Sequence, residues 1–155
     1  MILWFAACAV MGTWFVLRDQ SFDYRFVAMG ALLPDLIDGP LGHRGPAHTL
    51  LFAVGALAVV MIATTNRRPL RKHLIAVPIG LLAHLVLDGV FAQQEVFWWP
   101  AFGSYGSHAV APAPLVFVVR ELLGLAVAWN IVRRFGLADP ARRHAFVTAG
   151  TLTPC

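Results

Sequence analysis

Long apolar runs separated by short polar connections organise this chain. Residues 1–17 carry no charge and stop at Arg18, an order opposite to that of a secretory signal, so they predict a first membrane helix. A shorter apolar run, 26–37, closes on Pro34, Asp35 and Asp38, and is read either as a half-span or as a helix begun near Tyr24. Residues 46–65 predict a span with Pro46 in its first turn, where the missing N–H costs nothing. Residues 74–92 predict another, interrupted by Pro78 and Gly80 and carrying His84 and Asp88, and residues 114–132 a last one carrying Arg120 and Glu121. Loop 93–113 holds Trp, Gly and Pro but no Lys or Arg. The runs have helical length and no alternation, so the expected fold is all-α: a polytopic membrane bundle of four to five spans forming one domain over residues 1–155.

Composition moves the same way. Of the 155 residues 59% are hydrophobic and only 13% charged, an apolar excess that needs lipid rather than a core. The formal charge of +4 could suggest nucleic acid, but the basic residues lie where the positive-inside rule places them, and no nucleic-acid partner is expected. Arg18 and Arg25 flank the first connection, Arg67, Arg68, Arg71 and Lys72 fill the third, and Arg133, Arg134, Arg142 and Arg143 follow the last span. Ten of the twelve basic residues thus assign three connections to the cytoplasm, giving five crossings, N-out and C-in, in a bacterial or archaeal inner membrane. Cys8 and Cys155 form no metal or redox motif.

With that orientation most of the chemistry falls on one side. Asp35 and Asp38 close the second run, His43 and His48 open the third, His84 and Asp88 lie in the outer half of the fourth, and Glu95 and His108 occupy the outer loop. The i, i+3 spacing of Asp35 and Asp38 and the i, i+4 spacing of His84 and Asp88 put each pair on one helical face. Glu121 is seven residues beyond Pro114, about 10 Å deep. A lone carboxylate there costs about 2.5–3.5 kcal/mol against lipid and should turn toward a cation or proton donor. Imidazole and carboxylate suit zinc, manganese or iron, and a divalent metal would offset the buried charge. The alternatives are structural: a hydrogen-bonded pair for His84 and Asp88, turn or cap duty for Asp35 and Asp38 beside Pro34 and Gly39, and interfacial positions for His43, Arg44 and His48. Trp98 and Trp99 predict an interfacial aromatic belt.

The strings Leu-Leu-Pro-Asp-Leu-Ile-Asp at 32–38 and Gly-His-Arg-Gly-Pro-Ala-His-Thr-Leu-Leu at 42–51, then His84 to Asp88 and Trp99-Pro100, occur in an order that resembles the membrane-bound metal-dependent hydrolases, also described as LexA-binding inner membrane-associated hydrolases. The resemblance covers roughly residues 28–125. It implies a metal set drawn from Asp35, Asp38, His43, His48, His84 and Asp88. Metal-assisted hydrolysis is then expected, with Glu121 or a spare aspartate as general base and Arg44 binding phosphate or stabilising an oxyanion. Six ligands exceed the four of one tetrahedral zinc, so either two metals bind or several residues act from outside the coordination sphere. A site near the membrane surface suggests a lipid-like ester or phosphoester as substrate, with membrane lipids as partners. The competing expectation is a non-enzymatic membrane subunit, or an ion- or proton-handling protein, using the same cluster.

Overall fold

The computed structural model describes residues 1–20, 22–103 and 112–154; His108 and Cys155 lie outside the described residues. Among the described residues eight α-helices follow one another: α1 (Ile2–Leu17), α2 (Tyr24–Asp38), α3 (Leu50–Ala63), α4 (Arg68–Leu74), α5 (Ala76–Asp88), α6 (Gln94–Phe97), α7 (Pro114–Arg134) and α8 (Pro140–Ala149). Short 3-10 turns cover Gly39–Leu41, Pro46–His48 and Val90–Ala92. No strand occurs among the described residues.

Helix length separates the apolar runs. Two helical stretches are long and apolar enough to cross a bilayer, Arg68–Asp88, made of α4 and α5, and Pro114–Arg134. At 16 and 14 residues, α1 and α3 are apolar but reach only about 21–24 Å, against a hydrocarbon core of about 30 Å. Two of the five expected crossings therefore have full length. Along α7, Leu115, Val118, Leu122, Leu125 and Trp129 form an exposed apolar stripe, a face suited to lipid rather than water.

The expected third run also starts differently. Pro46 belongs to a separate 3-10 turn, and Thr49, in extended conformation, opens α3 by accepting the Phe52 N–H on its Oγ1 at 3.1 Å. A hydroxyl at the N-cap satisfies a first-turn N–H that proline at 46 cannot reach. His48 is thereby taken out of the helix and turned into the bundle, where it is fully buried. The run 74–92 ends early as well, because Gly89 takes φ +74 and stops α5 at Asp88.

Helices α2 and α5 cross at two glycines. A Cβ on Gly30 would lie 2.2 Å from the Val77 carbonyl oxygen, and one on Gly80 2.2 Å from that of Val27. Only hydrogen fits at either point, so the two backbones come nearly into contact, the small-residue approach common between membrane helices. The crossing fixes where the C-terminal half of α2 meets that of α5. Around it, Phe5, Trp14, Tyr24, Val27, Ile131, Phe135 and Leu152 form the larger apolar cluster, and Ala53, Leu81, Leu85, Val90 and Val96 a smaller one beside α3.

Candidate metal centre

The Gly30–Gly80 contact places the Ala31 carbonyl 2.7 Å from Nδ1 of His84. A carbonyl only accepts, so Nδ1 carries the hydrogen and Nε2 of the neutral ring presents a lone pair. His48 repeats the arrangement: its Nδ1 lies 2.7 Å from Oδ2 of Asp38, which accepts, leaving Nε2 free. The two Nε2 atoms are 3.3 Å apart. Oδ1 of Asp35 is 3.6 Å from Nε2 of His48 and 3.7 Å from Nε2 of His84. Three acceptor atoms from α2, the Pro46–His48 turn and α5 thus converge. Among the described residues Asp35, His48 and His84 form the one such group of His, Cys, Asp or Glu.

Two neutral lone pairs and a carboxylate repel one another unless a proton or a metal cation lies among them. The spacing suits one. A tetrahedral zinc with bonds of about 2.0–2.1 Å separates its ligand atoms by about 3.3–3.4 Å, close to the distances between these three. His48 and His84 are fully buried, whereas Asp35 keeps a quarter of its side chain exposed, so the site has one open side. The Phe5 ring lies over the imidazole of His84 at 4.0 Å and closes another.

Asp38 supports this set from behind. Its Oδ2 also accepts the Gly45 N–H at 2.9 Å, and its Oδ1 is buried without a hydrogen-bond partner among the described residues. A Cβ on Gly45 would approach Asp38 Oδ1 to 2.8 Å, so a larger residue here has to displace that carboxylate. A carboxylate on the far nitrogen of a histidine fixes its tautomer and makes it a better ligand.

The remaining sequence candidates lie elsewhere. Asp88 faces arginines: Oδ2 accepts from Arg44 Nε at 2.9 Å and Nη2 at 2.7 Å, and Oδ1 from Arg120 Nη1 at 3.3 Å. Arg44 also donates to Gln93 Oε1 at 3.2 Å. His43 lies outside the group of three, its Nδ1 3.4 Å from the Arg44 carbonyl. Glu121 reaches α1: its Oε2 accepts the Leu3 N–H at 3.3 Å, while its Oε1 is buried without a hydrogen-bond partner among the described residues. Gly124, one turn on, brings α7 against the same backbone, since its Cβ would sit 2.4 Å from the Trp4 nitrogen. Sequence reasoning did not single out Ala31 or Gln93 and treated Gly80 as an interruption. The one signal for Gly80 was a glycine within an apolar helical run, which marks close approach as often as a break.

No curated protein and no solved structure matches the chain. The family described as YdjM inner membrane protein matches residues 2–152, nearly the whole length. Helices with exposed apolar faces accord with an inner-membrane location, and the chain belongs to the YdjM inner membrane protein family.

Proposed function

We propose that this protein is a metal-dependent hydrolase of the inner membrane, with Asp35, His48 and His84 holding one divalent ion. The facing Nε2 lone pairs, 3.3 Å apart and each fixed by a hydrogen bond on the opposite nitrogen, carry this reading. Two imidazoles and one carboxylate are a ligand set for catalytic zinc with a fourth position open, and manganese and iron accept the same atoms. Such an ion, when bound, supplies Lewis acidity for a carbonyl or phosphoryl oxygen and acidifies a water.

The protein's own groups do the rest. Asp38 holds His48 in the tautomer that leaves Nε2 available, and the Ala31 carbonyl does the same for His84. Asp35 sits on the exposed side, with Oδ1 toward the histidines, where its carboxylate can accept a proton from water. Glu121 bonds to the first turn of α1, so Asp35 is the better placed base. Arg44, held by Asp88 and Gln93, brings a fixed positive charge four residues before His48. The site faces the non-cytoplasmic side in a five-crossing, N-out arrangement, a reading supported by the basic residues in the 18–25, 67–72 and 133–143 connections.

The test is lipid turnover. Zinc-loaded protein incubated with an inner-membrane lipid extract should consume a lipid ester or phosphoester, read by mass spectrometry, and His84→Ala and Asp35→Asn should not. Equal lipid profiles with native and variant protein would end the hydrolase reading. Reporter fusions in loop 93–113 test the orientation; a cytoplasmic signal there would move the site to the other face.

A further inference from the structure

Arg120 is a guanidinium within a helix long and apolar enough to cross a membrane, where an ionised side chain is costly unless something holds it. Among the described residues, what holds it is slight. Its Nη1 makes a 3.3 Å bond to Asp88 Oδ1 and a 4.0 Å contact with the Met1 sulfur. The two short bonds to Asp88 belong to Arg44. One carboxylate is therefore shared by two guanidiniums, and the trio is cationic by one charge. A quarter of the Arg120 side chain remains exposed. Guanidinium donors in a fixed fork suit the oxygens of phosphate or carboxylate, and they are strongest where water is scarce.

Position ties this charge to the metal centre. His84 and Asp88 lie four residues apart on one face of α5, so their side chains are neighbours separated by about one helical turn, roughly 6 Å. Resting on the metal-dependent reading above, we propose that Arg120, steadied by Asp88 beside Arg44, is the substrate-binding residue for an anionic phosphate group. The bond cleaved at Asp35, His48 and His84 would lie about one turn away. The substrate class is a phosphate-bearing molecule, with the phosphate either on a lipid or free. Asp88 then keeps two like-charged arginines side by side, which neither would tolerate alone.

Detergent-purified protein is titrated with dioctanoyl phosphatidate, neutral dioctanoyl glycerol and inorganic phosphate, for the native chain, Arg120→Gln and Arg120→Lys, and zinc content is measured on each sample. Phosphatidate should bind the native chain about tenfold or more tightly than the glycerol, the effect of a charge-assisted hydrogen bond. Arg120→Gln should erase that preference with zinc content unchanged, and Arg120→Lys should keep part of it. Phosphatidate binding without inorganic phosphate binding identifies a lipid as the source; equal binding of both identifies the free anion. An unchanged preference in Arg120→Gln, no preference in the native chain, or loss of zinc from Arg120→Gln would each overturn the proposal. If none of the proteins holds zinc the metal reading fails, and the phosphatidate preference still stands or falls with Arg120.

Discussion

The two ends of α2 both hold carboxylates, and they do so in opposite electrostatic circumstances. At the N-terminal end Asp23 is 1% exposed and surrounded by donors: Arg25 Nη2 at 2.7 Å, Arg25 Nε at 3.0 Å and the Arg25 N–H at 3.2 Å, with His73 Nδ1 at 3.4 Å. Burial works against the charge on Asp23, but the hydrogen bonds and the positive charge of Arg25 outweigh it and hold the carboxyl below its usual range. At the C-terminal end Asp35 meets two histidine nitrogens whose hydrogens are committed elsewhere. One end has its donors within the protein; the other brings three acceptor atoms together, an arrangement that can hold a cation. Burial of an acid alone therefore does not mark a functional site, and the supply of donors around it separates structure from chemistry.

The strongest way to break the contrast is to separate α2 from α5. Gly80→Leu drives a side chain into the Val27 carbonyl and should destabilise the fold by about 3 kcal/mol or more, at the upper end of overpacking costs. The thermal midpoint in detergent should drop and bound metal should disappear with it. An unchanged midpoint would mean that the helices do not meet at these glycines.

Asp38→Asn sharpens the other side. The amide preserves shape but can present either N or O to His48, so metal affinity should fall about 10–100-fold while the protein stays folded. Competition with a calibrated chelator measures this, and native affinity would refute the supporting role of Asp38.

Asp23→Asn should do the reverse: a stability loss of about 1 kcal/mol from weakened bonds to a partly exposed arginine, with metal content untouched. Loss of metal in this variant would show that the two ends are coupled.

The smallest effect concerns pH. Because the folded Asp23 carboxyl is held below its ordinary value near about 3.9, its contribution is present above that pH and is lost as pH falls through the lower folded value. The same environment meets the end of α8, where Gly150, at φ +71, accepts the Tyr24 N–H on its carbonyl at 3.0 Å and a Cβ would strike Asp23. Acidification below about pH 4 should therefore loosen residues 140–154, read by faster proteolysis there, and Asp23→Asn should flatten the dependence.

Much of this was legible in the residues. Apolar runs of helical length gave the helices, and the reading of Asp35 at the close of the second run, His48 at the start of the third and His84 in the outer half of the fourth put all three on one side. Two things were hidden. Asp88 shares a helical face with His84, so spacing groups them, yet Arg44 reaches Asp88 from 44 residues away and no local pattern records that pairing. The division between Asp35 and Asp38, one toward the histidine nitrogens and one behind His48, depends on Thr49 rather than Pro46 opening α3, which turns the His48 ring. Helix lengths were overestimated wherever a glycine or a cap cut an apolar run short, as at Gly89.

The central claim is that His48 and His84 face each other across a cation. Metal analysis of the protein purified in detergent without added chelator, beside His84→Ala prepared identically, tests it most directly. The account predicts about one equivalent of a divalent transition metal in the native chain and little in the variant. Native protein without bound metal, and still without it after incubation with zinc, would contradict the account and leave a proton shared between the two imidazoles as the occupant of the site.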